Sequence, residues 1–388
     1  MSSIKAFKGL NNVSDPLRLG MSWLQQADNV DITDTGALKK RSGYSRTFAA
    51  SLTGAYSTLD FKRLFMVDGG VLKAVNSATS ATPLRSGISA APMYFTEINQ
   101  QVFFNNGADR GVILPDNRVI DWEWQIPATP NVSPVNGSLP AGLYQVRCTF
   151  TLADGRETGA GESAEITLTD GQALQISGVD YLTGATTNIY IAPANSSVYQ
   201  LARSGGTAFV WNSSPDDLGV DLNTNFLDPL PRGADVIQAW KGRIYAAQYF
   251  PADNQSAVWF SKPLGFHLFN YNSGFILVPG RVLMLAPTDD ALIVGTDSRI
   301  WSYLGDKLEE LAPYGVVPGW HWSKDADRTL FWSTRGLCAA LPFANLSERQ
   351  ISVAPGLSAG GVVVEHEGRK RYLVALQQGG LPAFNSHV

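Results

Sequence analysis

The chain has 388 residues, enough for one large domain or two ordinary ones, and its 44% hydrophobic content provides for packed cores. Only 16% of the residues are charged and the formal net charge is −4, which excludes a disordered protein and the broad basic surface of a tight nucleic-acid binder. The N-terminus carries no apolar signal segment and no run approaches about 18 apolar residues, so we expect a soluble protein made in the cytoplasm.

Helix signals are sparse along the chain. Ser22 is predicted to cap a short amphipathic turn that ends at Asn29, and Asp306 to Leu311 is predicted to form one more turn. The rest consists of short β-branched and aromatic runs, broken by Gly, Asn, Asp and Pro at intervals of roughly ten residues. This pattern predicts an all-β fold.

One unit of strand, polar turn and aromatic strand recurs loosely. Its first copy runs from Leu59 to Val75 and turns at Asp68-Gly69-Gly70. Further copies begin near Met93, Ile237, Arg281, Gly319 and Gly361. Where copies are adjacent, their spacing of about 35 to 45 residues is the period of a propeller blade.

The repeat predicts a β-propeller-like ring of short antiparallel blades. A blade cannot bury both faces of its twisted sheet alone, so successive blades stack around an axis. Ala291 to Thr296 is small and apolar and is predicted to be an inner strand. The alternative is a repeated β-sandwich that does not close into a ring.

Between the second and third copies the chain changes character. Four prolines, Pro127, Pro130, Pro134 and Pro140, predict a stiff linker, and Pro229 and Pro231 close the segment. The alternating strands between them are 143–150, 165–168, 173–176, 187–191 and 199–202. We therefore predict three regions: an N-terminal arm with the first blades (1–126), an inserted β-sandwich (127–231) and the remaining blades (232–388).

One segment matches a hydrolase motif. Gly356-Leu-Ser-Ala-Gly360 has the Gly-x-Ser-x-Gly spacing of a nucleophile elbow, which requires a strand that turns sharply into a helix. Pro355 precedes it and the strand-like Gly361 to Val364 follows, so Ser358 is not predicted to be a nucleophile. His366 is close in sequence, but neighbours along a hairpin do not reproduce triad geometry.

Metal and cofactor signals are weak. The histidines at 267, 321, 366 and 387 are isolated, and the acidic pairs Asp289-Asp290 and Asp325-Ala-Asp327 are typical of turns. Gly159-Ala-Gly161 lacks the strand-to-helix context of a dinucleotide loop and is interpreted as a hairpin connection. Cys148 and Cys338 lie in separate apolar runs and are expected to be buried free thiols. The sequence predicts a protein that is not an enzyme and has no cofactor.

Carbohydrate binding is the competing function, because propellers and sandwiches also occur in lectins and glycosidases. Trp122, Trp124, Trp320 and Trp322 are candidate stacking platforms, and Glu123 is a candidate for acid or base chemistry. Alternation places both indoles of each Trp-x-Trp pair on one strand face, where core or subunit packing is the commoner fate. A module for host surface glycans therefore stays the second hypothesis.

Three groups of segments carry a family resemblance. Segments 7–13, 27–32, 36–38 and 41–44 resemble the N-terminal signature of phage tail nozzle proteins, the tail tubular B type of short-tailed phages and their relatives in other tailed phages. Segments 141–144, 154–158, 161–163 and 188–190 are similar to the fibronectin-like insertion of that family. Segments 258–261, 292–296, 300–303 and 314–319 are similar to its blade motifs.

The resemblance implies a structural protein of the virion tail, assembled in the host cytoplasm. It implies a homohexameric ring at the distal end of the tail, joined to a head-to-tail adaptor or a tail-tube protein. A central channel would pass DNA transiently during ejection, and outer surfaces would dock tail fibre or needle proteins. The chain is shorter than many relatives, so a gating role does not follow.

The resemblance also implies an assembly motif. Its residues are Phe7, Gly9, Asn11, Asn12, Asn29, Arg41, Gly43 and Tyr44. Residues 7–13 are predicted to supply an edge strand that closes the ring, with Asn11 and Asn12 satisfying backbone groups at a turn and Phe7 in an apolar slot. The alternative is an ordinary N-terminal strand. The basic run Lys39 to Arg41 is more typical of a solvated turn than of a DNA contact.

Overall fold

A computed structural model describes residues 6–33, 35–43, 48, 52–326, 328–366 and 368–378, without the side chains of His366 and Arg369. The described regular structure is β-strand, apart from one 3-10 turn at Pro215–Asp217 that Ser214 caps. The all-β fold predicted from the short runs and turn residues is confirmed.

An N-terminal arm, residues 6–43, precedes the blades. It contains β1 (Gly9–Leu10), β2 (Trp23–Leu24), β3 (Val30–Ile32) and β4 (Leu38–Lys40). β1 pairs in parallel with β2, and β3 forms a hairpin with β4. The helical turn predicted for Ser22 to Asn29 is wrong, because the backbone of Trp23 and Leu24 is extended and pairs with β1.

The first two blades follow the arm as four-stranded antiparallel sheets. Blade I contains β5 (Leu52–Ser57), β6 (Leu64–Asp68), β7 (Val71–Ser77) and β8 (Ser80–Ser86). Blade II contains β9 (Tyr94–Ile98), β10 (Gln101–Asn105), β11 (Arg110–Ile113) and β12 (Val119–Ile120). Each blade is a meander, in which every strand pairs with the next along the chain.

The inserted segment is a sandwich of two antiparallel sheets. Its strands are β13 (Asn131–Leu139), β14 (Gly142–Leu152), β15 (Ala164–Leu168), β16 (Gln172–Ser177), β17 (Ala185–Ala192), β18 (Gln200–Ser204) and β19 (Phe209–Trp211). One sheet has the order β13-β16-β19 and the other β15-β14-β17-β18. Tyr144, Cys148, Leu174 and Trp211 lie in the core between the sheets.

The sequence predicted a stiff linker for the proline-rich segment before the sandwich, but this segment also contains a strand. It contains β13, and Pro134 lies within that strand, opposite Leu174 of β16. β13 is at the edge of its sheet, where a proline can be tolerated because its missing N–H can face away from the ladder. The prolines therefore concealed a nine-residue strand.

Three further sheets and a hairpin follow the sandwich. Blade III contains β20 (Ala234–Trp240), β21 (Arg243–Phe250), β22 (Gln255–Lys262), β23 (Gly265–Phe269) and β24 (Phe275–Pro279). Blade IV contains β25 (Val282–Pro287), β26 (Leu292–Thr296), β27 (Ile300–Tyr303) and β28 (Leu308–Ala312). Blade V contains β29 (Trp322–Asp325), β30 (Arg328–Ser333), β31 (Gly336–Ala340) and β32 (Ala344–Asn345), and the C-terminal hairpin contains β33 (Ser358–His366) and β34 (Arg369–Gln377).

Adjacent blades bury aromatic side chains against each other. On β10 of blade II, Phe104 packs in the cluster shared with blade I, whereas Phe103 packs in the cluster shared with blade III. On β30 of blade V, Phe331 faces blade IV and Trp332 faces the C-terminal hairpin. Neighbouring residues of a strand point to opposite faces, so two consecutive aromatics supply both interfaces of one blade. Full burial of each such side chain contributes about 1.5–3 kcal/mol.

The first strands of the sheets contact one another in chain order, from β5 through β9, β20, β25 and β29 to β33. These strands lie nearest the axis of the ring. The sequence wrongly assigned this place to Ala291 to Thr296, which forms the second strand, β26, of blade IV and is fully buried. The turn predicted for Asp306 to Leu311 is also wrong, since Leu308 to Ala312 pair with β27 as strand β28.

Candidate functional site

The N-terminal arm is tied to the C-terminal part of the chain through Asn12. Its backbone N–H donates to the carbonyl of Gln350 at 2.9 Å, and its side-chain Nδ2 donates to the carbonyl of Ser352 at 2.9 Å. The N–H of Ser352 donates in return to Oδ1 of Asn12 at 2.7 Å. These three bonds join the arm to the connection between blade V and the C-terminal hairpin.

The residues before Asn12 shape the arm. Oδ1 of Asn11 accepts from the N–H groups of Val13 at 3.2 Å and Ser14 at 3.0 Å, so Asn11 satisfies a backbone turn as predicted. The N–H of Phe7 donates to the carbonyl of Gly36 at 2.8 Å, and the Phe7 side chain is half-buried. Gly9 has a φ of +149°, and a Cβ there would lie 3.2 Å from the Trp23 ring.

The rest of the predicted assembly motif lies on the second half of the arm. Asn29 has a φ of +54°, and its carbonyl accepts from the N–H of Arg41 at 2.9 Å. Gly43 is exposed, and Tyr44 lies outside the described residues. Nearby, the Arg371 guanidinium lies 3.3 Å from the Asp31 carboxylate, which joins β34 to β3. The side chains of Leu38 to Lys40 are exposed.

The edge strand predicted for residues 7–13 does not form within the chain. Only Gly9 and Leu10 are strand, and they pair with β2; no described blade takes them as an additional strand. The turn at Asn11 interrupts the extended backbone that a longer edge strand would need. Contact of the arm with a neighbouring subunit stays a prediction.

An aromatic cluster joins blades I, II and V near the ring axis. Trp320, just before β29, lies 6.1 Å from Tyr56 of β5 and 6.5 Å from Tyr94 of β9, measured between ring centroids. Trp322 lies 5.6 Å from Trp320. Burial, together with the neighbouring Asp235 carboxylate, raises the pKa of Tyr94 to about 12. Packed rings therefore lie between β5, β9 and the start of β29.

The sandwich is held firmly at its junction with the propeller. The Arg156 guanidinium donates to the carbonyls of Asp121 at 3.1 Å and Trp122 at 3.2 Å. Nε2 of His267, on β23, lies 2.9 Å from the carbonyl of Glu157. A cavity of about 100 Å³ lies beside Arg156 and His267. Burial lowers the pKa of His267, so the ring is neutral near pH 7.

Two glycines allow the backbones to approach at this junction. A Cβ on Gly159 would lie 1.7 Å from the carbonyl oxygen of Leu227, and one on Gly161 would lie 2.3 Å from that of Pro127. Both glycines lie in the hairpin connection between β14 and β15, as predicted. The sequence did not indicate that this connection contacts both segments that lead into and out of the sandwich.

A partly buried ion pair supports the same junction. The Arg110 guanidinium lies 3.0 Å from the Glu123 carboxylate and donates to the carbonyl of Leu230 at 2.8 Å. The Arg110 side chain is 7% exposed. Burial raises the pKa of Glu123, and the charge of Arg110 opposes that rise. Glu123 was a candidate acid or base from sequence. In the structure it pairs with Arg110, and Arg110 links blade II to the segment that leads into blade III.

The tryptophans proposed for carbohydrate binding occupy different environments. Trp122 is 1% exposed, packs against Phe103 and donates its indole N–H to Phe266 at 2.8 Å, so it belongs to the core. Trp124 is half-buried beside β12. Trp320 and Trp322 lie in the axial aromatic cluster. The structure thus brings the second Trp-x-Trp pair together and separates the first.

Ser358 and Asp325, two of the nucleophile and metal candidates, have partners within the chain. Ser358 lies in β33, and its hydroxyl donates to Oε1 of Gln377 at 2.8 Å. Asp325 pairs with Arg328 and Lys370, while Asp327, His387 and the His366 side chain lie outside the described parts. Among the residues described, no group of three His, Cys, Asp or Glu side chains is placed to hold a metal ion. No helix in the described ranges is long and apolar enough to cross a membrane.

Cys148 and Cys338 are buried free thiols, as predicted. Burial raises the pKa of Cys148 to about 12 and also raises that of Cys338. A thiol with a raised pKa carries almost no thiolate near pH 7, and the thiolate is the nucleophilic form. The cysteines are therefore core residues rather than reactive groups.

Comparisons with known proteins give similarity of structure only. No family model and no curated protein matches the chain. Apo AztD from Citrobacter koseri matches at a TM-score of 0.30 and 12% identity, covering 82% of this chain and 89% of that one. BBS1N in complex with ARL6DN matches at 0.29 and 11%, covering 82% and 86%, and Porphyromonas gingivalis dipeptidyl peptidase 4 matches at 0.29 and 11%, covering 94% and 51%. Similarities of this size carry no argument about function.

Proposed function

We propose that the chain is a structural subunit of a bacteriophage tail, a nozzle or hub component that assembles into a ring. The observation that carries the proposal is the arm. Segment 7–13, part of the nozzle-like signature, folds onto the propeller through the three hydrogen bonds of Asn12. Because these bonds hold the arm in one position, the arm is suited to orient the chain against neighbouring subunits.

Exposed apolar side chains support an assembly role. Leu17 in the arm is 95% exposed, and Phe61 in the β5–β6 turn is 86% exposed with a φ of +57°. That turn is held by Thr58 and by Arg63, whose guanidinium donates to the carbonyl of Leu114 at 2.9 Å. A rigid turn that presents a bulky aromatic in a strained conformation is typical of a contact site. Such contacts would join subunits in a homohexamer, or join the ring to an adaptor, tail-tube, fibre or needle protein.

In this proposal, DNA passes between subunits rather than through one propeller. The cluster of Tyr56, Tyr94, Trp320 and Trp322 occupies the propeller interior. A ring of subunits with a formal charge of −4 each would repel phosphate weakly, so DNA would slide without charge-assisted contacts that hold it.

Two measurements test the proposal. Mass photometry of the purified chain should give a discrete species of six chain masses, either alone or after addition of the tail protein that it contacts. Electron micrographs of the parent particle, with an antibody against this chain, should show label at the distal end of the tail. Label elsewhere, or particles that lack the chain, would overturn the assignment.

A further inference from the structure

A groove of about 340 Å³ lies at the outer rim of the ring, between the last strands of blades I and II. Its lining residues are Leu84 and Arg85 from β8, Val119 and Ile120 from β12, and Asp121 and Trp124 just beyond. The volume falls at the lower end of the range for small-molecule sites. The groove opens to solvent and is separate from the axial aromatic cluster.

The groove combines an apolar floor with one polar edge. Leu84, Val119 and Ile120 supply aliphatic surface, and the half-buried Trp124 supplies an aromatic ring. On the polar edge, the Arg85 guanidinium lies 3.2 Å from the Asp121 carboxylate. A ligand with one apolar face and several hydroxyl groups complements both parts, because aliphatic C–H groups pack on an indole and hydroxyls both donate and accept.

Trp124 contributes its ring to the groove rather than its indole N–H. Its indole N–H is buried and has no acceptor among the described residues. A buried N–H without a partner costs about 1–3 kcal/mol. Because this N–H is buried, a ligand in the groove contacts the accessible part of the Trp124 ring, and a purely apolar ligand would also desolvate the ion pair of Arg85 and Asp121.

We propose that this groove binds a neutral pyranoside, as a mono- or disaccharide unit of a larger glycan. The ligand is neutral because Arg85 and Asp121 already neutralise each other at 3.2 Å. An anionic sugar would meet the Asp121 carboxylate and a cationic one the Arg85 guanidinium, and in each case the like charge disfavours binding. The site does not depend on ring assembly, since every residue of the groove comes from one chain.

Trp124→Ala removes the stacking surface, and Trp301→Ala is the matched control. Trp301 is also half-buried with an indole N–H that lacks an acceptor in the described part of the chain, but it lies on β27 of blade IV. An array of neutral and acidic glycans identifies the probe, and calorimetry with the neutral glycan bound most tightly measures Kd. We expect Trp124→Ala to weaken binding by about tenfold or more and Trp301→Ala to leave Kd within a factor of about two.

A second pair of variants covers the case in which Trp124→Ala does not fold. Trp124→Phe keeps a smaller aromatic face, and Asp121→Asn unbalances the polar edge; each should weaken binding several-fold. The proposal is overturned if the array contains no neutral binder, if only acidic glycans bind, or if Kd is unchanged in all three variants. A chain that binds the glycan but never forms a ring would refute the tail assignment and leave this site standing.

Discussion

At the scale of single residues, Asn12 is the position at which a substitution most directly tests how the arm is attached to the propeller. Replacing it by alanine removes both side-chain bonds to Ser352 and leaves the backbone bond to Gln350. We expect a loss of about 1 kcal/mol, because these bonds are exposed and water replaces them in part. Hydrogen exchange should become faster at residues 6–12 and 350–352.

Asn136→Ala is the control for that variant. Asn136 is exposed on β13, and its side chain makes no hydrogen bond to the described residues. The Asn136→Ala variant should leave hydrogen exchange in the arm unchanged. If Asn12→Ala gives the same exchange pattern as Asn136→Ala, the arm is held by something other than Asn12.

His321 gives a prediction for pH. It is completely buried, its Nε2 lies 2.8 Å from the carbonyl of Val317, and its Nδ1 accepts from the N–H of Trp332 at 3.2 Å. Burial lowers the pKa of His321 to about 4, against an ordinary value of 6.5. Between those values the unfolded chain binds the proton and the folded chain does not, so stability falls with decreasing pH by about 3 kcal/mol in total.

The measurement is urea unfolding from pH 7 to pH 5 of the native chain and of His321→Gln, which cannot titrate in this range. The native chain should lose stability steadily as the pH falls, and the variant should lose less. Carboxyl groups contribute to both curves and cancel in the difference. Parallel curves would show that His321 is not the group responsible.

Some residue environments followed from local sequence and others did not. The apolar runs around Cys148 and Cys338 correctly predicted burial, because a run of that kind has no exposed face. Trp122 is packed in the core, as predicted, but Trp122 and Trp124 both lie beyond the end of β12, where strand periodicity no longer applies, so alternation did not determine either environment. Nothing in the local sequence placed Tyr56 and Tyr94 against Trp320, since those contacts join residues more than 200 positions apart.

At the scale of elements, the connection between β14 and β15 fixes the sandwich to the propeller. Gly159→Ala would place a Cβ 1.7 Å from the carbonyl oxygen of Leu227, and backbone cannot move aside cheaply. We expect a loss of about 3 kcal/mol in the free energy of unfolding, at the upper end for overpacking. Urea unfolding followed by tryptophan fluorescence measures it.

Gly20→Ala is the matched control, because nothing lies within 4 Å of the Cβ it would add. It should change stability by less than about 0.5 kcal/mol. Equal stability of the two variants would mean that the sandwich moves freely against the propeller and that the observed approach of the two backbones is not maintained.

The sequence predicted the strands of the blades better than those of the N-terminal arm. Blades I, II, IV and V are meanders of neighbouring strands, so their turns and alternation are local, and the turn at Asp68-Gly69-Gly70 correctly separated β6 from β7. β2 was mistaken for a helical turn because its partner strand, β1, is separated from it by an irregular loop and the pairing covers only two residues. Short parallel pairing leaves no periodic signal.

At the scale of the whole molecule, closure of the ring depends on contacts between its two ends. Blade spacing predicted a propeller-like repeat, but it contained no information on how the last blade meets the first. The structure supplies two kinds of contact: Asn12 and Asp31 of the arm reach residues 350–352 and Arg371, and Trp320 reaches Tyr56 and Tyr94 across the interior. Both kinds join chain segments from opposite ends of the sequence.

Trp320→Ala tests whether the interior contact makes the ring cooperative. The variant loses ring contacts with blades I and II at once, so we expect about 2–4 kcal/mol of destabilisation, with faster hydrogen exchange in β5 and β9 as well as in blade V. Trp301→Ala, a half-buried tryptophan within blade IV, should raise exchange mainly in blades III and IV, whose shared core it contacts. If Trp320→Ala raised exchange only in blade V, the two ends of the chain would be independent units, and the propeller would be an open stack of blades rather than a closed ring.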